Sequence, residues 1–231
     1  MLSSSSRFRS LPTLAADAAR SAVVEFDDVK TRVETYQPSF LTAVINMLVL
    51  ILLIVVVAAI YRQVKGEPRL DTVNNPERRS WMQQRLGNRN DDGEFVSFAH
   101  GLFGCFDNTN VCLISAFCPG IRWADTARMA GWMTFWVGIL VVCLVQLGWL
   151  FGLLGWGLTV TVGVYFRQMA RQDFQMRAGG FTVCEDCLAW TFCPWCAVAQ
   201  EAQQYEDAWD VAHPVAKHAQ ERAMERNRVV R

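Results

Sequence analysis

"MAGWMTFWVGILVVCLVQLGWLFGLLGWGLTVTVGVYF", residues 129–166, runs for 38 residues without a charge between Arg128 and Arg167. As one straight helix it would measure about 57 Å, nearly twice a bilayer core of about 30 Å. Gly148, Gly152, Gly155 and Gly157 cluster near its middle and offer a turn. The stretch therefore reads as a transmembrane helical hairpin with arms of about 17 or 18 residues, the lower limit for crossing. One tilted span, or a shallow re-entrant element, would satisfy the same composition, so both stay open. In a hairpin Trp132 and Trp136 face one interface and Trp149 and Trp156 the other, as aromatic belts prefer. Gly148-x-x-x-Gly152 offers close helix packing.

A second apolar block, "FLTAVINMLVLILLIVVVAAIY" at 40–61, carries no charge and one strongly polar residue, Asn46. As a helix it spans roughly 33 Å, enough to cross, and it starts too late and runs too long for a cleaved signal peptide. Arg62, Lys65, Arg69, Arg78, Arg79 and Arg85 follow it. The positive-inside rule puts that flank in the cytosol. Arg122 and Arg128 precede the 129–166 block and Arg167, Arg171 and Arg177 follow it, so both its ends face the cytosol too. The fold class is thus an all-α membrane protein: an N-terminal transmembrane helix, a transmembrane hairpin, and a cysteine-rich module at the hairpin ends. Residues 1–39 form a leader, amphipathic or disordered, with an organelle transit peptide as the alternative. Residues 62–94 are a polar linker, 95–209 the cysteine-rich domain including the hairpin, and 210–231 a charged tail, either a solvated helix or a docking segment.

The 22 basic and 22 acidic residues balance overall, and they also balance segment by segment, which gives nucleic acid no basic surface to bind. The chain holds eight cysteines. Cys143 falls inside the hairpin, where a thiol packs as a small apolar group. Cys105, Cys112 and Cys118 precede the hairpin, and "CEDCLAWTFCPWC" at 184–196 follows it. A hairpin returns the chain to its starting face, so the two groups can meet. Cytosolic thiols stay reduced, which disfavours disulfides, and closely spaced reduced thiols suit a metal. Cys112, Cys118, Cys184, Cys187, Cys193 and Cys196 are the candidate ligands, with zinc the implied ion. The spacing is unlike a zinc ribbon, whose cysteine pairs stand about 15–20 residues apart. "CPWCAVAQEAQQYEDAW" reads as a helix start on Pro194, placing Cys193 and Cys196 on one face. "CPWC" also has the form of a dithiol redox motif, and juxtamembrane cysteines can be acylated or simply buried; these readings stay open.

Two stretches together resemble the placenta-specific-8 cysteine-rich family, whose relatives include cornifelin, plant fruit-weight regulators and plant cadmium-resistance proteins. The first is "HGLFGCFDNTNVCLISAFCPG", residues 100–120. The second is "RQMARQDFQMRAGGFTVCEDCLAWTFCPWCAVAQE", residues 167–201, with Arg167-x-x-x-Arg171, Asp186-Cys187, and a closing Cys193-x-x-Cys196-Ala197 before Gln200-Glu201. Where the family has a double cysteine and a Cys-Pro-Cys, this chain has Val111-Cys112 and Cys118-Pro119-Gly120. The 40–61 span lies outside the resemblance, and "IRWADTARMAG" at 121–131 has no role assigned by it. The resemblance implies membrane association and links to heavy-metal tolerance, calcium entry or control of cell number. It implies no catalytic mechanism.

No phosphate-binding glycine loop, Gly-x-Ser-x-Gly elbow or His-Glu-x-x-His motif occurs. His100, five residues before Cys105, is a surface residue or a fourth ligand. Asn46 suits contact with a neighbouring helix or a polar path. The expectation is a non-enzymatic integral membrane protein of the plasma membrane or an organelle, its module on the cytosolic side. It would act in metal handling or as a structural subunit, with the lipid bilayer, a homo-oligomer or a membrane complex as partners. The alternative is an oligomeric metal-ion transporter or channel.

Overall fold

The computed structural model describes residues 40–66, 86 and 97–229; the leader and most of the polar linker lie outside them. Among the described residues every regular element is a helix. The chain divides into two compact units, 1–45 and 46–231, with the cysteine-rich region wholly in the second.

Helix α1, Phe40–Lys65, runs four residues past the apolar block, with Arg62 and Lys65 in its last turn. Gly66 follows at φ 66°, a left-handed stop that costs glycine nothing. Leu41–Lys65 is the one segment among the described residues long and apolar enough to cross a membrane, and only 6% of its apolar window is buried.

Helix α2, Thr109–Phe117, begins where the Asn108 side chain accepts from the Val111 amide at 3.3 Å, satisfying a donor the helix leaves unpaired. Helix α3, Pro119–Met129, opens directly on a proline. Thr134 caps α4, Phe135–Gly148. A 3-10 turn, Trp149–Phe151, and Gly152 at φ 60° then reverse the chain into α5, Leu153–Asp173. Gly179 and Gly180, both at positive φ, lead into α6, Phe181–Phe192. Helix α7, Pro194–Asp210, starts on the expected proline, and α8, Pro214–Val229, closes the chain.

The turn falls in the glycine cluster as expected, but the glycines divide the work differently. Gly152 makes the reversal, and the close approach is between Gly148 and Gly155, where a Cβ on Gly148 would lie 3.4 Å from the Gly155 Cα. The first arm is also shorter than expected, while the second, α5, has 21 residues and runs past the apolar block to Asp173. Helix α4 has 14 residues, about 21 Å, and the 3-10 turn consumes the residues that would have lengthened it.

Two apolar cores hold the helices. One joins α1 residues Ile54, Val57, Ala58 and Tyr61 to α3, α4, α5, α6 and the start of α7. The other gathers Phe98, Met129, Phe174, Tyr205 and Trp209 beneath the first turns of α8. Trp132 belongs to this second core rather than to an interfacial belt: it packs on Phe166 and Tyr205, and its indole donates to Asp173 at 3.0 Å. Trp136, Trp149 and Trp156 are exposed, with the rest of the outer hairpin face. The tail docks: Val215, Ala216 and Ala219 are buried, and Arg222 donates to Asp173 at 3.2 Å and to the Ala130 carbonyl at 2.8 Å.

Candidate functional site

The six candidate metal-ligand cysteines form no cluster of three or more donors among the described residues. Cys184 and Cys187 are exposed on α6, and Cys118 is half-buried at the α2–α3 junction. Cys193 and Cys196 are joined as a disulfide with Cα atoms 5.2 Å apart, where cytosolic placement argued for free thiols. The local reason is the proline: Cys193, just before Pro194, is kept out of helical backbone (φ −145°, ψ 70°), beside the first turn of α7 that carries Cys196. Before the hairpin the close pair is Cys112 with Cys105, their sulfurs 3.1 Å apart. Tetrahedral zinc needs four converging ligands, and no three His, Cys, Asp or Glu gather in a way that could hold a metal among the described residues. As placed, these donors do not fit zinc. His100 is not a surface group: it is buried, and its Nε2 lies 2.7 Å from Asp207.

What the motif residues do build is a buried ionic knot. From α5, Arg167 reaches Asp186 of α6 at 2.7 Å and Glu201 of α7 at 3.0 Å, and it also donates to Gln200. Arg171, one turn on, holds both Asp186 oxygens at 2.7 and 2.8 Å. The Phe98 ring covers both guanidiniums, 4.1 and 5.2 Å from its centre. All four charged residues are under 5% exposed. Burial pushes the Asp186 carboxyl upward, but hydrogen bonds from Arg171 and the charges of Arg167 and Arg171 outweigh it and hold the pKa down. At Glu201 burial wins: despite Arg167, its pKa rises to about 7. The Arg-x-x-x-Arg, Asp-Cys and Gln-Glu elements, scattered over 35 residues of sequence, thus meet as one structural lock.

A second knot ties the module to α1, and it gives "IRWADTARMAG" its role. Asp125 accepts from the Tyr61 hydroxyl at 2.7 Å, lies 2.9 Å from the Lys65 ammonium, and receives the Arg128 guanidinium. Arg122 donates to Tyr61 at 3.2 Å and lies 2.8 Å from Glu206 of α7, which Lys65 also reaches at 2.7 Å. Burial works to raise the Asp125 pKa, and the cations of Lys65, Arg128 and Arg122 override it, holding the group at about 2. In the sequence Lys65, Arg122 and Arg128 read as topology signals and Tyr61, Asp125 and Glu206 did not stand out, because a lone charge beside an apolar block does not name its partner.

Between the knots and the hairpin lies an apolar cavity of about 410 Å³, walled by Val142 and Val145 of α4, Gly163 of α5, and Trp123 and Trp190. Pro119 and Pro194 both line it. They belong to an internal repeat: "CLISAFCP" at 112–119 and "CLAWTFCP" at 187–194 share five of eight residues. Each copy is the end of one helix, a Cys-Pro break, and the start of the next. The break residues adopt nearly the same backbone, Cys118 at φ −136°, ψ 57° and Cys193 at φ −145°, ψ 70°. Comparing the chain with itself would have found this repeat.

Searches of curated proteins and of solved structures return no match. A comparison with protein families matches residues 98–204 to the PLAC8 family. The match opens at Phe98 and closes at Gln204, so it encloses both Cys-Pro breaks, the hairpin and every member of the Arg167 knot. Over this region, just under half of the chain, the sequence matches the PLAC8 family, the placenta-specific-8 family.

Proposed function

We propose that this chain is a non-enzymatic integral membrane protein, anchored by α1 and by the α4–α5 hairpin, with its cysteine-rich module locked across their cytosolic ends. The observation that carries this reading is the outward apolar surface. Leu48, Leu52 and Leu53 of α1 and Leu140, Leu144, Leu153 and Leu154 of the hairpin are all more than half exposed, and water would penalise each by about 1.5–3 kcal/mol relative to burial. Lipid covers such a surface at no cost. The 14-residue α4 arm reaches the far side only with Trp149–Phe151 continuing it. Asn46 is exposed within the otherwise apolar α1, a group that favours a second copy able to share its amide hydrogen bonds. The module then serves as a structural subunit, its two knots fixing the angle between spans.

The test is topological. Alkaline carbonate should leave the protein in the membrane pellet. A membrane-impermeant maleimide should miss Cys184 in intact cells, or in sealed vesicles of cytosol-inside orientation, and label it after permeabilisation. Release by carbonate would remove the reading; labelling of intact cells would invert the orientation.

Metal handling is a second reading, favoured by the 3.1 Å approach of Cys105 and Cys112. Protein purified with reductant and without chelator should carry bound metal that Cys112→Ser loses. Protein without metal leaves the structural subunit alone standing.

A further inference from the structure

The repeated Cys-Pro breaks do not lie at the level of the basic flanks; two separate sets of contacts place them deeper. Helix α6 runs back along α5. Thr182 faces Gln168, Asp186 faces Arg167, and Trp190 lies against Gly163, where an added Cβ would come within 2.2 Å of its ring. Past Asp186 the helix therefore continues beside the apolar part of α5 for six more residues, about 9 Å. Helix α3 gives the same depth from the other side. It climbs alongside α1, with Arg122 on Tyr61 and Arg128 donating to the Gly66 carbonyl at 3.1 Å. Pro119 is nine residues back, about 14 Å below Arg128 along the helix. There Gly120 packs against Val142 in the middle of α4, where a Cβ would lie 2.7 Å from the valine methyl.

Both repeats carry the same residues outward at that depth. Leu113 and Phe117 are 50% and 81% exposed, and their counterparts Leu188 and Phe192 are 57% and 77% exposed. In each pair the residues are four apart on a helix and share a face. Trp195 beside the second break is half-exposed as well. The pairs contain no polar atoms beyond the backbone, and Gly120, just past the first break, packs on Val142, which lies between the exposed Leu140 and Leu144 in α4.

We infer that α2–α3 and α6–α7 are two re-entrant elements, each dipping into the cytosolic leaflet and turning at its Cys-Pro break, with phospholipid acyl chains covering Leu113, Phe117, Leu188 and Phe192. This rests on the membrane reading of α1 and the hairpin. It moves Cys112, Cys118, Cys187 and Cys193 from the cytosol to the membrane boundary. The breaks cost little backbone satisfaction there, because the proline at each has no N–H to lose and the Cys193 and Cys118 amides still bond Ala189 and Ile114 carbonyls at 2.9 and 2.8 Å.

The full chain in phosphatidylcholine vesicles, carrying p-benzoylphenylalanine singly at position 117, 192, 144 or 224, tests this by photocrosslinking and mass spectrometry. Lipid-mass adducts are expected at 117 and 192, as at 144 on the hairpin, and none at 224 on α8. Lipid at 144 with none at 117 and 192, or a peptide adduct at those two from a second copy, overturns the inference and leaves the membrane reading intact. No lipid at 144 removes both. The wild-type chain gives a second measurement. Cys184 and Cys187 are both exposed, but only Cys187 lies past Asp186. In open vesicles an impermeant maleimide should react several-fold more slowly at Cys187, and denaturation should abolish the difference. Equal rates in lipid would overturn the inference.

Discussion

Gly163→Ala should open the seam between α5 and α6. Three ring atoms of Trp190 lie 2.2–2.4 Å from where the new Cβ would stand, more than 1 Å inside the ~3.5 Å of ordinary contact. The obstacle is the face of an indole that is 7% exposed and hemmed in by α7, so it has no flexible end to swing aside. Either the ring leaves its rotamer or α6 shifts along α5, and the second disturbs the Arg167–Asp186 geometry one turn away. Overpacking of this kind costs about 1–3 kcal/mol, which for a chain of this size lowers Tm by roughly 4–8 °C at the middle of that range. Thermal unfolding of the full chain in detergent micelles measures it. Gly157→Ala is the control. It lies in the same helix with nothing within 4 Å of an added Cβ, so helix propensity alone should stabilise it by about 0.5–1 kcal/mol. Trp190→Phe should relieve part of the Gly163→Ala cost, giving a coupling of about 1 kcal/mol in a double-mutant cycle. If Gly163→Ala matches Gly157→Ala, α6 does not lie on α5 as described, and the depth assigned to the second Cys-Pro break fails with it.

Asp125→Asn removes the carboxylate that Lys65, Arg122 and Arg128 share, and should cost about 3–5 kcal/mol, read as a lowered Tm in detergent. The wild-type Asp125 pKa, about 2 against an ordinary 3.8, contributes stability present above about pH 4 and lost as pH falls toward 2; Asp125→Asn should flatten that limb of the pH profile. Glu201 has the opposite sign. Its pKa is raised from 4.5 to about 7, so the folded protein holds a proton the unfolded chain has released, and stability should fall as pH rises from about 4.5 to 7, by up to about 3 kcal/mol. Glu201→Gln keeps an acceptor for Arg167 and should abolish this slope; an unchanged slope refutes the assignment.

Helix class, the position of α1, the hairpin turn near the glycines and the start of α7 at Pro194 were legible because each is local: a run of apolar residues, a glycine cluster, a proline at N1. The sites were less so. "CEDCLAWTFCPWC" suggests convergence because it is dense, but α6 carries its first pair on an outer face and the Cys193–Pro194 break diverts the second pair into each other. Arg167, Asp186 and Glu201 look like ordinary surface charges until α5, α6 and α7 are packed together. Their pairing depends on three helices meeting at one level, which no periodicity encodes. The short α4 arm is a similar case, since whether Trp149–Phe151 extends the helix or tightens into a 3-10 turn depends on Gly148 meeting Gly155 across the hairpin.

The two knots are not independent, because α7 is a member of both. Glu201 faces Arg167 at the exit of the hairpin, and Glu206, five residues on, faces Arg122 and Lys65 at the exit of α1. Five residues of helix separate them by about 7.5 Å along the axis, over which a helix held by its own hydrogen bonds does not compress. One rigid strut therefore fixes how far apart the end of α1 and the end of the hairpin can be. The same helix begins at the Cys193–Cys196 disulfide and carries Gln203 and Gln204, which bond the Gly104 carbonyl and the Ala99 amide at 3.3 and 2.9 Å. A change at its start, such as reduction of that disulfide, is thus connected by a continuous helix to both sets of buried charges. That is a physical route by which Cys193 and Cys196 can act on the packing of α1 against the α4–α5 hairpin without holding a metal.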